Sequence, residues 1–128
     1  MNPKSLITHM MIGSNDVARS KAFYDPVLGA LGFGLGTDAG NHVYYMHGDG
    51  PALGVGKPFN GEIATVGNGG TIGFPAQSNA AVDAFHAAGL AHGGTDEGAP
   101  GPRAFGSGSS YGAYLRDPDG NKICAYAR

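Results

Sequence analysis

The sequence predicts a small domain of mixed α and β structure built from two similar halves, each a strand, a helix and then several short strands. Three observations carry this. Strand-like and helix-like stretches recur in the same order, a Pro- and Gly-bearing linker at residues 58–69 separates the two runs, and patterned stretches separate the glycines. With 128 residues, 41% apolar and 14% charged, the chain suits one independently folding unit that needs neither metal nor disulfide staples. Gly and Pro, 24 and 8 of the residues, make a quarter of the chain. Without pattern between them they would read as low complexity; here they read as turns and close backbone approaches.

Residues 6–12, LITHMMI, read as a strand with Ile7, His9 and Met11 on one face and Leu6, Thr8, Met10 and Ile12 on the other. Asp16 is placed to cap a helix whose Val17, Phe23, Tyr24, Val27 and Leu28 share a buried side. Pro26 is expected to kink that helix or start a second short turn, and Gly29 and Gly32 supply stop signals. Short strands are expected at residues 33–37, 41–47 and 52–57. After the linker the order repeats. Residues 71–76 read as a strand, Ser78 or Asn79 caps a helix carrying Val82 and Phe85, and Gly89 ends it. A short strand at 90–94 and stronger ones at 111–115 and 122–126 follow, the last two joined by the turn Asp117-Pro118-Asp119-Gly120. The polar, glycine-rich stretch 95–110 reads as a loop or flap. A shift of 62 residues sets His9 over Thr71 and Phe23 over Phe85, consistent with a repeated module.

Composition excludes several function classes. Eight Lys and Arg against ten Asp and Glu, without long runs, give a net charge of −2 and no basic patch for nucleic acid. Cys124 is the only cysteine, which excludes an internal disulfide and a cysteine-rich metal site. No apolar run of about 18 residues and no leader pattern appear, so a cytoplasmic protein without membrane contact is expected. The glycine-rich segment 106–110 lacks the Lys and helix of a P-loop, and no dinucleotide fingerprint is present.

The residues Thr8-His9-Met10-Met11-Ile12, Asp16 to Tyr24 and Val27 to Phe33 resemble the opening of the vicinal oxygen chelate superfamily, which includes glyoxalase I, bleomycin-resistance proteins and extradiol dioxygenases. Asn68 to Phe74, Ser78 to Gly89, Tyr111 to Leu115 and Asp117 to Ile123 resemble its second half, and the DPDGNK ending is the most specific piece. The resemblance implies an α+β fold of two tandem βαβββ modules, at about residues 5–57 and 70–128 of a single domain, whose curved mixed sheets enclose a cavity. It also implies metal-ligand positions at His9, Gly54, Thr71 and Cys124. Relatives commonly carry His at the Thr71 place and Glu at the Cys124 place, and Gly54 has no side chain, so the ligand set is degenerate and no metal cofactor is expected. A divalent Zn, Ni, Mn or Fe is the alternative.

His9 is the candidate catalytic residue, as a base or polar anchor, or else a structural histidine. Tyr44, Tyr45, Arg103, Tyr111 and Cys124 are candidate ligand-binding residues: the tyrosines for their hydroxyls, Arg103 to neutralise an acidic ligand, Cys124 as pocket lining or buried filler. Tyr114 and Tyr126 raise the same possibility as Tyr111. His42, His47, His86 and His92 form no metal motif and are expected to be exposed. The leading expectation is a glyoxalase/bleomycin-resistance-like protein that receives a small organic molecule. The alternatives are a metal-independent or atypical-metal lyase or isomerase acting on a carbonyl compound, and a structural dimer without ligand. Exposed strand edges invite pairing, so a homodimer is expected.

Overall fold

The computed structural model describes residues 6–105 and 108–127. It contains β1 (His9–Gly13), α1 (Val17–Gly29), β2 (Thr37–Asp38), β3 (His42–Tyr45), β4 (Ala52–Gly56), β5 (Ile72–Pro75), α2 (Asn79–Ala91), β6 (Thr95–Phe105), β7 (Gly108–Arg116) and β8 (Lys122–Ala127). The first four strands form one sheet in the order β1-β4-β3-β2, and the last four a second in the order β5-β8-β7-β6. In each, the edge strand that precedes the helix pairs in parallel with the last strand, and the other pairings are antiparallel. This is the βαβββ pattern twice over.

Alternation along the strands sets which side each helix covers. On the first sheet Val43, Tyr45, Leu53 and Val55 are buried against Phe23, Tyr24, Val27 and Leu28 of α1. On the second, Ala113, Leu115, Ile123 and Ala125 pack with Val82 and Phe85 of α2. Both sets belong to one core, so the modules share their hydrophobic burial. The opposite face of each sheet is open.

Polar bonds cross between the halves as well. Tyr24 Oη donates to Asp117 Oδ2 at 2.6 Å, and Asn121 Nδ2 donates to the Gly13 carbonyl at 2.9 Å. Arg19 reaches Asp119 at 3.0 Å. The Asp117 to Gly120 turn expected from the sequence therefore holds module one's helix and first strand while closing module two's hairpin. Asp117 also accepts the backbone N–H groups of Asp119 and Asn121, each at 2.9 Å.

Several expectations are corrected. Helix α1 runs on through Pro26 to Gly29, its Val27 and Leu28 fully buried beyond the proline. Residues 33–36 are not strand. A Cβ on Gly36 would lie 2.5 Å from Val43, so the chain there passes close over β3 and only Thr37–Asp38 pairs with it. Gly89 does not end α2, which continues to Ala91. It is a packing glycine whose Cβ would strike Leu115, and the turn comes at Gly93, with φ +98°, where Gly94 N–H bonds the Gly89 carbonyl at 2.8 Å. Residues 90–94 accordingly contain no strand.

The largest difference is at 95–110. Residues 106 and 107 lie outside the described residues, as do 1–5 and 128 of the expected modules, but the rest is strand: β6 and the start of β7. Register shifts between Asp96 and Gly98 and between Gly98 and Gly101 absorb the glycine-rich composition as bulges within a hairpin. His86, expected to be exposed, is 7% exposed and its Nε2 lies 2.8 Å from Asp96 Oδ1, tying α2 to β6. Among the described residues no helix is long and apolar enough to cross a membrane.

Candidate functional site

Sheet parity decides which candidates meet. On β8, Cys124 and Tyr126 face away from the helices, and the register sets Cys124 opposite Tyr114 of β7 and Gly73 of β5. These four residues line a pocket of about 700 Å³ on the open face of the second sheet, together with Thr71 and Pro75. Two glycines shape it. A Cβ on Gly73 would lie 3.2 Å from Cys124 Sγ, and one on Gly112 would lie 2.5 Å from the Tyr126 ring. The Tyr126 ring thus lies directly on backbone.

The polar atoms of the pocket are joined. Tyr114 and Tyr126 hydroxyls are 2.8 Å apart, with the rings meeting edge to face at 85°. Tyr114 also bonds Cys124, and its phenol is pushed up to about 12 by the bond with Tyr126 and then by burial. Burial pushes the Cys124 thiol up, partly offset by the Tyr114 hydrogen bond and the nearby Lys122 charge. The Cys124 thiol and the Tyr114 phenol therefore hold their protons at neutral pH. They can donate and accept hydrogen bonds but do not supply a ready base or thiolate.

Of the sequence candidates, the pocket brings together Thr71, Tyr114, Cys124 and Tyr126. His9 is exposed near the start of β1, with Nδ1 2.9 Å from Thr8 Oγ1, and is not among the lining residues. Tyr44 lies on the open face of the first sheet, its ring stacked with His42 at 27°. Tyr45 is a correction: it points into the core, fully buried, and its hydroxyl donates to Asp25 at 2.7 Å. Tyr111 faces α2, where its hydroxyl donates to Asp83 at 2.6 Å. Arg103 stands on β6 with its guanidinium on the carbonyls of Ala99 and Gly101, at 2.7 and 3.0 Å. Of the three tyrosines between which the sequence leaves the choice open, Tyr114 and Tyr126 meet the pocket and Tyr111 does not. Three residues apart on one strand, Tyr111 and Tyr114 must face opposite sides, and only the packing of α2 says which side is open.

The four family ligand positions do not fit a metal. Gly54 offers no donor, and a side chain there would run into the Met11 sulfur and, at 2.9 Å, the Tyr44 ring. Thr71 offers only a hydroxyl, and the Cys124 thiol is protonated and engaged with Tyr114. Among the described residues no three His, Cys, Asp or Glu side chains converge. One imidazole at His9 is short of the three or four ligands that such a centre requires.

A second pocket of about 310 Å³ lies at the seam, walled by Met10, Leu31, Phe33, Leu53 and Phe74 with His47 at its rim. Phe33 meets Phe74 and His47 edge to face, at centroid distances of 5.8 and 5.0 Å.

Known proteins place the architecture. The chain is 52% identical to a glyoxalase/bleomycin resistance protein from Albidiferax ferrireducens T118, covering 96% of this chain and 99% of that one with a TM-score of 0.91. It is 26% identical to a lactoylglutathione lyase from Agrobacterium tumefaciens, covering 98% and 96%, with a TM-score of 0.65. A glyoxalase/bleomycin resistance protein/dioxygenase family enzyme from Burkholderia phytofirmans PsJN shares the fold at 20% identity, 94% and 96% coverage and a TM-score of 0.72. No curated protein sequence matches. The model of the Glyoxalase/Bleomycin resistance protein/Dioxygenase superfamily matches residues 6–125, and with its two βαβββ modules the chain belongs to that superfamily.

Proposed function

We propose that this protein binds a small organic molecule in the pocket on the open face of its second sheet, without the metal centre of its enzymatic relatives. The observation that carries this is the replacement of metal donors by neutral hydrogen-bonding groups: Thr71, Cys124, Tyr114 and Tyr126 stand together where a ligand set would be needed. A concave site with apolar walls and a few fixed polar groups supports binding without any reactive pair. Thermal-shift screening of a small-molecule library, run with a chelator present, tests it. Hits should disappear in Gly73→Leu, which fills the pocket from an exposed edge strand, and persist in His9→Ala. A library without a single hit, or hits indifferent to Gly73→Leu, would sink the reading.

Catalysis is the second reading, an isomerisation or lyase step on a carbonyl compound with His9 as base. The 26% identity to a lactoylglutathione lyase favours it. Metal-free turnover abolished by His9→Ala would put it in place of simple binding. A homodimer is supported by the exposed apolar side chains Met11, Phe59 and Ile63 around the first sheet's open side and the linker. Sedimentation giving a monomer throughout the micromolar range would remove it.

A further inference from the structure

We infer that the molecule held in this pocket is an organic anion: an acidic group on a planar apolar body, set between the cations of the second sheet and its two phenols. The inference rests on the preceding reading that the pocket binds a small organic molecule, and adds its charge and shape.

The chain as a whole is negative, with a net charge of −2. The open face of the second sheet is not. Arg116 of β7 and Lys122 of β8 stand directly opposite each other in register, an arrangement in which like charges repel. Glu97 answers Arg116 at 3.2 Å. The other carboxylates of this half are engaged elsewhere: Asp83 with Tyr111, Asp96 with His86, Asp117 with Tyr24 and Asp119 with Arg19. Arg103 adds a further cation. Its partner in register is Ser110, which puts it on the same face as Gly101, Gly112 and Tyr114. A Cβ on Gly98 would lie 3.3 Å from both the Arg103 guanidinium and the Tyr114 ring. The carbonyls of Ala99 and Gly101 orient that guanidinium without cancelling its charge.

Tyr114 therefore has a cation on either side. Lys122 Nζ stands 5.2 Å from the centre of its ring, and Arg103 approaches from the β6 bulge. The charge excess lies beside the neutral hydroxyls that line the pocket. The shape of the site supplies the second part of the argument. The Tyr114 and Tyr126 rings meet at 85° with centroids 5.8 Å apart, the Tyr126 ring lies on the Gly112 backbone, and Gly73 adds no side chain to the pocket lining. A flat body fits the corner between two rings, edge to one and face to the other. An acidic group on that body then comes within reach of Lys122 or Arg103.

Binding of naphthalene-2-carboxylate and naphthalene-2-carboxamide to the full chain, followed by ligand fluorescence at low salt, separates charge from shape. The carboxylate should bind at least about tenfold more tightly than the amide, and added salt should narrow the gap. Lys122→Gln should weaken the carboxylate about fivefold and leave the amide unaltered, with Arg103→Gln acting in the same direction. Equal binding of acid and amide, or carboxylate binding indifferent to both substitutions, overturns the anion while the pocket reading stands. Failure of both probes to bind the folded protein removes the two together.

Discussion

The two modules carry the same backbone but opposite fillings on their open faces. In the first, Met11 of β1 stands across from Gly54 of β4, and the methionine occupies the space that a side chain at 54 would need. In the second, the glycine is on the outer strand and the side chain on the inner one: Gly73 of β5 stands across from Cys124 of β8. The first arrangement fills the strip between β1 and β4 with a thioether and sets the ring pair His42 and Tyr44 beside it. The second leaves a hollow floored by a thiol and two phenols. Duplication of a fold does not duplicate a site, because one large-for-small exchange changes which groups an open face presents.

The seam between the modules is where the largest effect is expected. Asp117→Ala removes the acceptor of the buried Tyr24 hydroxyl, of Asn121 and of two turn amides, and should cost about 3 kcal/mol or more in urea denaturation. A loss under about 1 kcal/mol would mean that the Asp117 bonds add little to the packing and the other bonds between the halves. Next comes the contrast at the paired positions. Gly54→Glu puts a carboxylate on the first sheet's open face but must displace Met11, and should cost about 1–3 kcal/mol, recovered in part by Met11→Ala. Gly73→Ala asks Cys124 Sγ to yield only a few tenths of an ångström, and should cost less than about 1 kcal/mol. Equal costs at the two glycines would break the contrast between the two faces.

Tyr45→Phe should cost about 1 kcal/mol through the lost bond to Asp25, with ligand affinity unaltered because Tyr45 faces the core. A matching loss of affinity would return Tyr45 to the site. The smallest effect is alkaline. Burial holds the Cys124 thiol pKa above its ordinary value, so the folded state keeps a proton that the unfolded chain gives up. The stability this contributes is complete below the ordinary thiol pKa of about 8.5 and is lost as pH rises through the shifted value. Cys124→Ala should flatten that part of the stability profile in denaturant titrations at successive pH values. An unchanged slope would mean that the thiol is solvated.

The 62-residue shift was sound because it tracks strand and helix order, and the structure sharpens it. It places Met11 over Gly73, which pair with Gly54 and Cys124 on the last strand of their own modules. Asp16 and Ser78 cap the two helices as their residue types predict, each accepting a backbone N–H three residues on. The hairpin at 95–105 was illegible because its composition is that of a loop. Its strand character comes from β7, an already paired neighbour that supplies the hydrogen bonds, and the glycines are taken up in bulges. Gly89 misled for a related reason. Next to a helix end glycine reads as a stop, whereas here it makes room for Leu115 from another element.

At the candidate site the division runs through the same physics. Residue type alone excluded a family-type ligand set, since neither Gly54 nor Thr71 can be read as a carboxylate or an imidazole. Alternation alone showed that Tyr44 and Tyr45, or Tyr111 and Tyr114, cannot share a face. Which member of each pair faced the open side depended on where α1 and α2 pack, and that is a property of the whole core. The charge of the open face was hidden for the same reason. Arg103, Arg116 and Lys122 are spread over 20 positions of an acidic chain, and only the β6-β7-β8 register gathers them beside Tyr114. The sequence by itself determined the repeated elements, their caps and the loss of the metal donors, because these follow from local chemistry. Tertiary structure decided which faces stay open and which charges meet there, because those depend on contacts between residues far apart in the chain.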